Sequence, residues 1–200
     1  MGRKIAKKRP AVFLDRDGTV CMEKGYLDDV NDLELIPGAA QAIRKINDQG
    51  WVAVIITNQS GVAYGYFNED TVRRINRELL NRLAAENAHI EGIYYCPHHP
   101  EGNPPYNIVC SCRKPAPGMI YRAAEELSID IAQSVIIGDK FSDIQTAQNL
   151  GIRGIWVLTG YGQEEYHKYG RGKNSPDIHV AEDLKSAIDW WFREEVLHTS

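Results

Sequence analysis

The chain has 200 residues, room for one large domain or two small ones, and a chain of that size buries roughly 70% of its unfolded surface on folding. Apolar residues at 43% and charged residues at 25% exclude a disordered or fibrous polymer. With 23 Lys and Arg against 27 Asp and Glu, the net charge of −4 is too near neutral for a whole-surface binder of nucleic acid or anionic membrane.

The chain starts with a basic stretch, Arg3, Lys4, Lys7, Lys8 and Arg9, expected to be a solvated tail over residues 1–9 rather than a phosphate-binding arm. The apolar run at 11–14 is cut short by Asp15, Arg16 and Asp17, so no secretory leader is expected, and the run at 52–56 is far too short to cross about 30 Å of hydrocarbon. A cytoplasmic protein with no membrane partner and no nucleic-acid partner is the expectation.

Short β-branched or aliphatic runs bounded by turn signals predict strands at 11–14, 52–57, 92–95, 134–138, 154–158 and, weakly, 177–180. Helical patterns fall between them at 38–49, 68–86, 117–127, 142–150 and 182–192, with Gly50 and Gly151 as stops and Asn68 or Asp70 as a start. Alternation of this kind specifies right-handed crossovers and an α/β fold, a doubly wound Rossmann-like parallel sheet with helices on both faces. No repeat or linker divides the chain, so residues 1–200 are expected to form a single domain, with irregular segments at 19–37, 98–117 and 160–176.

Ligands of such sheets bind at the carboxyl ends of the strands. The first strand ends in Asp15-Arg16-Asp17-Gly18-Thr19, two carboxylates that share a side at strand period. Two like charges held close are costly unless a cation lies between them or one is protonated. The second strand ends in the polar cluster Thr57-Asn58-Gln59-Ser60-Gly61, and the fourth in Gly138-Asp139-Lys140 followed by Asp143. Arg113 and Lys114 follow the third. These strand ends supply carboxylates for a hard divalent cation and donors for a phosphate.

Cys96-Pro97-His98-His99-Pro100 and Cys110-Ser111-Cys112 bring three thiols and an imidazole within one loop, a donor set for one tetrahedral structural zinc. Spacing leaves His98 and His99 open as the fourth ligand. Cys21 has no partner and reads as an ordinary small residue.

The strand-end residues resemble the four motifs of the haloacid dehalogenase superfamily of phosphohydrolases, in order across residues 10–158. Asp15 to Thr19 resemble the first motif, Thr57-Asn58 the second, Lys114 the third, and Gly138-Asp139-Lys140 with Asp143 the fourth. The resemblance implies Asp15 as the nucleophile that forms an aspartyl-phosphate and Asp17 as general acid and base. It further implies that Thr57 and Lys114 stabilise the phosphoryl group, and that Mg²⁺ is held by Asp15, the Asp17 carbonyl and Asp139.

The zinc loop, residues 96–112, with Cys112-Arg113-Lys114-Pro115, is similar to that of a capless branch. Its members act on the 7-phosphate of D-glycero-D-manno-heptose 1,7-bisphosphate or on histidinol phosphate. The branch pattern Cys-Pro-His implies zinc on Cys96, His98, Cys110 and Cys112. Ser60, the longer Cys-His loop and Gly138-Asp139-Lys140 resemble the heptose-directed members, which implies a sugar phosphate substrate from ADP- or GDP-heptose biosynthesis, with histidinol phosphate as the alternative. Arg16, Glu23, Lys24, Gly25, Tyr26, Asn58, Gln59, Ser60, Arg113 and Lys140 would then contact substrate. Tyr64 departs from the pattern, standing where the heptose-directed members commonly carry Arg.

A non-catalytic zinc module is the competing class, and it leaves Asp15, Asp17, Lys114 and Asp139 without a role. Trp190, Trp191 and Phe192 are expected as a helix face packed on the sheet, and His167, His179 and His198 as solvated. No feature demands an oligomer, so a monomer is expected.

Overall fold

The structure, a computed structural model, describes residues 7–170 and 178–198, the last four of these by backbone alone. Its strands are β1 (Ala11–Leu14), β2 (Val52–Asn58), β3 (Gly92–Cys96), β4 (Val135–Gly138), β5 (Arg153–Val157) and β6 (Ile178–Ala181), side by side in the order β3-β2-β1-β4-β5-β6 and all parallel. The order fits sequences that are apolar at nearly every position. In β1 the side chains of Val12 and Leu14 face one helical layer while Ala11 and Phe13 face the other, and all four are fully buried.

The first layer holds α1 (Ala39–Asp48), α3 (Glu69–Ala85) and α7 (Leu184–His198), and the second holds α4 (Gly118–Leu127) and α5 (Phe141–Leu150). Asn68 caps α3 by accepting from Thr71 N at 3.0 Å, and Gly151 closes α5 in the left-handed conformation at φ 66°. From β1 the chain winds outward to β2 and β3, then returns past β1 to β4 and winds the other way. The direction reverses between β1 and β4, which opens a crevice where the loops leaving those strands diverge.

The expected strands and helices all form, with ends displaced by one to a few residues, and α7 runs on to His198 where 192 was expected. Two of the segments expected to be irregular contain short elements: a 3-10 turn at Val30–Asp32, and α6 (Gly162–Glu165) followed by a π turn at Tyr166–Gly170; a further short helix, α2 (Ser60–Tyr64), forms where no element was expected. Arg3 and Lys4 of the expected tail, Asp177, residues 171–176 and the His198 side chain lie outside the described residues.

Trp191 and Phe192 are buried and meet Trp51 edge-on at 5.8 and 5.4 Å, as a packed helix face requires. His167 is exposed, but His179 is not the solvated side chain expected: its ring stacks on Trp190 at 3.6 Å, which covers one imidazole face. No helix among the described residues is long and apolar enough to cross a membrane.

Candidate active site

Asp15 follows β1, and its backbone N–H donates to Ile137 O at 3.0 Å, so the pairing with β4 continues up to the first carboxylate. The chain then turns tightly: Arg16 O accepts from Val20 and Cys21, and Gly18 N donates to Cys21 O. Gly18 is left-handed at φ 82°, and a Cβ there would overlap the Asp139 carboxylate. Only glycine permits both the turn and that close approach.

Four charged side chains meet beneath this turn with almost no exposure. Lys114 Nζ lies 3.0 Å from Asp15 Oδ1 and 2.5 Å from Asp143 Oδ1, and it donates to Ile56 O at 2.9 Å. Burial works against the Lys114 charge, yet the two carboxylates carry its pKa above the ordinary lysine value. Asp139, fully buried, accepts from Tyr161 N at 2.9 Å through Oδ2, while its Oδ1 has no hydrogen-bond partner among the described residues. Burial first, and the nearby Asp15 charge second, push Asp139 up to about 8; burial likewise lifts Asp143 to about 6.

Oxygens of Asp15, Asp139 and Asp143 lie within 4.8 Å of one another. A buried carboxylate oxygen without a donor, in an acidic group this tight, is the donor set of a hard divalent cation such as Mg²⁺. Asp143 enters the group; the Asp17 carboxylate does not.

Asp17 instead stands at the cleft, gripped from behind. Arg16, whose side chain is 1% exposed, donates to it from Nε at 3.1 Å and Nη2 at 2.9 Å, and binds Asn76 of α3 from Nη1 at 2.9 Å. Gln59 Nε2 donates to Asp17 Oδ2 at 2.8 Å and to Thr57 Oγ1 at 2.9 Å. Burial would raise the Asp17 pKa, but Arg16 and Gln59 outweigh it and hold the carboxyl below its ordinary value. Arg16, expected to touch substrate, is walled off from the cleft, because its guanidinium is consumed by Asp17 and Asn76.

The cleft above holds about 220 Å³ and is lined by Asp17, Glu23, Gly25, Tyr26, Asn58, Gln59, Ser60, Lys140 and Tyr161 among others. Glu23 accepts from Gly25 N at 2.8 Å and from Lys140 Nζ at 2.9 Å, which fixes the flap after the first turn against the fourth motif. Lys24 points away, to Glu34 at 3.0 Å on the surface, and does not line the cleft. Asn58 pairs its amide with the backbone of Lys114 in both directions, at 3.1 and 3.0 Å, and so aims that lysine. Tyr64 packs with Tyr26, Tyr66 and His99, its hydroxyl 2.9 Å from His99 Nδ1. Burial first, then the Arg113 charge, hold the His99 pKa below the ordinary imidazole value.

Cys96, His98, Cys110 and Cys112 converge. The sulfurs are 3.0 to 3.5 Å apart, and His98 Nδ1 is 3.4 Å from Cys112 Sγ and 3.7 Å from Cys96 Sγ. Tetrahedral zinc places its thiolate and imidazole donors about 3.5–3.8 Å apart, so the four residues fit that ion with little adjustment. His98 occupies the fourth place, and His99 is turned to Tyr64. The loop is tied to the site through Arg113, which donates to His98 O at 3.1 Å, and to α3 through Tyr106 and Tyr95, both donating to Glu69.

Asp143 has its signal four residues after Asp139, in the first turn of α5. The segment after β5 has none: Thr159 Oγ1 donates to Gly18 O at 2.6 Å, Gly160 abuts Asp139, and Tyr161 N binds the Asp139 carboxylate. Asn76 likewise carries no signal of its own, being one polar residue on the amphipathic helix α3.

Residues 111–187 match the profile of the HAD-hydrolase-like family. Over 187 residues the chain is 42% identical to D-glycero-D-manno-heptose-1,7-bisphosphate 7-phosphatase of Thermosynechococcus vestitus, covering 91% of this chain and 95% of that one. It is also 42% identical over 159 residues to D-glycero-beta-D-manno-heptose-1,7-bisphosphate 7-phosphatase of Escherichia coli K12, covering 78% and 83%. The crystal structure of D,D-heptose 1,7-bisphosphate phosphatase from B. bronchiseptica, complexed with magnesium and phosphate, superposes with a TM-score of 0.81 at 31% identity, over 92% of this chain and 99% of that one.

Proposed function

The chain belongs to the family of D-glycero-D-manno-heptose-1,7-bisphosphate 7-phosphatases within the haloacid dehalogenase-like hydrolases, and from that premise we propose that it hydrolyses the 7-phosphate of D-glycero-D-manno-heptose 1,7-bisphosphate, leaving the 1-phosphate for nucleotide activation. It is a phosphoric monoester hydrolase. The observation that carries the phosphatase reading is the buried pairing of Asp15 with Lys114, next to a polar cleft whose lining includes Asp17.

An Asp15 carboxylate oxygen attacks phosphorus; the bond from phosphorus to the sugar oxygen breaks, and Asp17 delivers a proton to that oxygen. Asp17, now ionised, then takes a proton from water as the water oxygen attacks phosphorus, which frees Asp15 and inorganic phosphate. The arriving phosphate dianion opposes Arg16 electrostatically and favours the protonated form of Asp17 needed for the first step. Lys114 and the Thr57 hydroxyl stabilise the charge that builds on the phosphoryl oxygens.

Mg²⁺ held by Asp15, the Asp17 carbonyl and Asp139, with Asp143 beside them, would neutralise the repulsion between nucleophile and phosphate. Zn²⁺ on Cys96, His98, Cys110 and Cys112 would be structural, since four protein ligands close its coordination sphere. Glu23, Gly25, Tyr26, Ser60 and Lys140 face the sugar, and Arg113 at the rim meets the distal phosphate. A cytoplasmic, single-domain monomer completes the proposal.

Mg²⁺-dependent phosphate release from both anomers of heptose 1,7-bisphosphate, beside histidinol phosphate at equal concentration, tests the assignment. Preference for the heptose is expected; preference for histidinol phosphate would overturn the substrate and leave the chemistry standing.

A further inference from the structure

Gln59 sits at the junction of β2 and α2, 5% exposed, with its backbone N–H fixed to Cys96 O at 2.8 Å. A primary amide has two N–H bonds. Here both are used from the one nitrogen: one reaches Thr57 Oγ1 and the other Asp17 Oδ2. Gln59 therefore has no donor left for a sugar hydroxyl. Because Thr57 Oγ1 accepts, its own O–H stays free to donate outward. Arg16 holds Asp17 from the side of α3, through Nε and Nη2, and Gln59 holds the same carboxylate from the side of β2. Remove Gln59 and the carboxylate keeps Arg16 and the weak thiol contact of Cys21 Sγ to Oδ1 at 3.6 Å, free to turn toward the guanidinium and away from the cleft.

We infer that Gln59 is a positioning residue, which braces the Asp17 carboxylate against Thr57 and keeps it facing the cleft for proton transfer to the leaving oxygen. The inference rests on the phosphatase reading and deepens it: Gln59 serves the acid step rather than substrate recognition.

The leaving group separates this role from a merely structural one. A sugar alkoxide needs a proton as it departs, whereas p-nitrophenolate leaves as an anion without one. The experiment measures kcat/KM, which reports the steps up to the aspartyl-phosphate, for an alkyl sugar phosphate and for p-nitrophenyl phosphate. Wild type, Q59L, the near-isosteric Q59E, D17N and the D17N/Q59L double variant are compared.

Q59L and Q59E are expected to lose about tenfold or more beyond their loss on p-nitrophenyl phosphate when assayed on the sugar phosphate. In the D17N background, Q59L should cost less than about threefold on the sugar phosphate, since the group it positions is already gone. Equal losses on the two esters, or full additivity with D17N, would overturn the inference. Wild-type turnover of neither ester would overturn the phosphatase reading and Gln59's role with it, whereas an active wild type with equal losses removes Gln59's role alone.

Discussion

Lys114 and Asp143 form an ion pair of 2.5 Å in which neither side chain is more than 2% exposed. At that burial a charge is tolerable only with its partner in place. The lysine compensates two carboxylates at once, Asp143 and Asp15, and its third donor satisfies Ile56 O.

Replacing Lys114 by Met therefore leaves buried carboxylates unpaired and removes a phosphoryl donor. The expected outcome is a stability loss of about 3–5 kcal/mol by thermal or urea denaturation, with turnover down by about 10²-fold or more. Lys114→Arg should rescue little of the turnover, because a planar fork does not fit a site that three acceptors surround as a point charge.

Asp139 is the source of a specific pH dependence. Its folded pKa of about 8 lies above the value of 3.8 for a free aspartate, so between the two the folded state holds a proton that the unfolded state has released. Its contribution to stability therefore falls as pH rises across that window. In metal-free protein the melting temperature should drop from pH 5 to pH 8 more steeply for wild type than for Asp139→Asn. Mg²⁺ binds the ionised form and should restore more stability at pH 8 than at pH 5. Parallel pH profiles for the two proteins would refute this.

Metal analysis checks the Cys-His cluster. One zinc per chain is expected in protein prepared without chelator, and none in a Cys110→Ser, Cys112→Ser variant. Loss of the ion should lower the melting temperature, and it should also raise KM, because the Arg113 guanidinium is held by the carbonyl of His98.

Gly160 tests the segment after β5. It is left-handed at φ 56°, and a Cβ there would collide with the Asp139 carboxylate and the Gly18 backbone. Gly160→Ala should destabilise by more than about 1 kcal/mol from backbone conformation alone. It should also weaken Mg²⁺ activation several-fold by displacing Asp139; an unchanged Mg²⁺ dependence would contradict that role.

Much of this protein is legible without coordinates. Short apolar runs alternating with helical periods dictate a parallel sheet buried on both faces, because a strand such as Ala11-Val12-Phe13-Leu14 offers no polar side to solvent. The carboxylates after β1 and β4, and the cysteines beside His98, stand out because their chemistry is costly without a cation. Local sequence also marks the helix ends at Asn68 and Gly151.

Other relationships exist only once the chain is folded. Arg16 is adjacent to Asp17 in sequence and looks like a substrate contact until α3 brings Asn76 against it and seals it from the cleft. Lys24 turns to Glu34, and His179 to Trp190, because the nearest partner of a side chain is set by packing rather than by its sequence neighbours. The choice of His98 over His99 is likewise spatial, as Tyr64 takes the second ring. The segment after β5 carries no motif; it acquires its role because the sheet order sets β5 beside β4, which places Thr159, Gly160 and Tyr161 against Gly18 and Asp139. Residue types and spacing determine which charges must find a cation, and tertiary packing decides which of the remaining groups face the cleft and which hold the others in place.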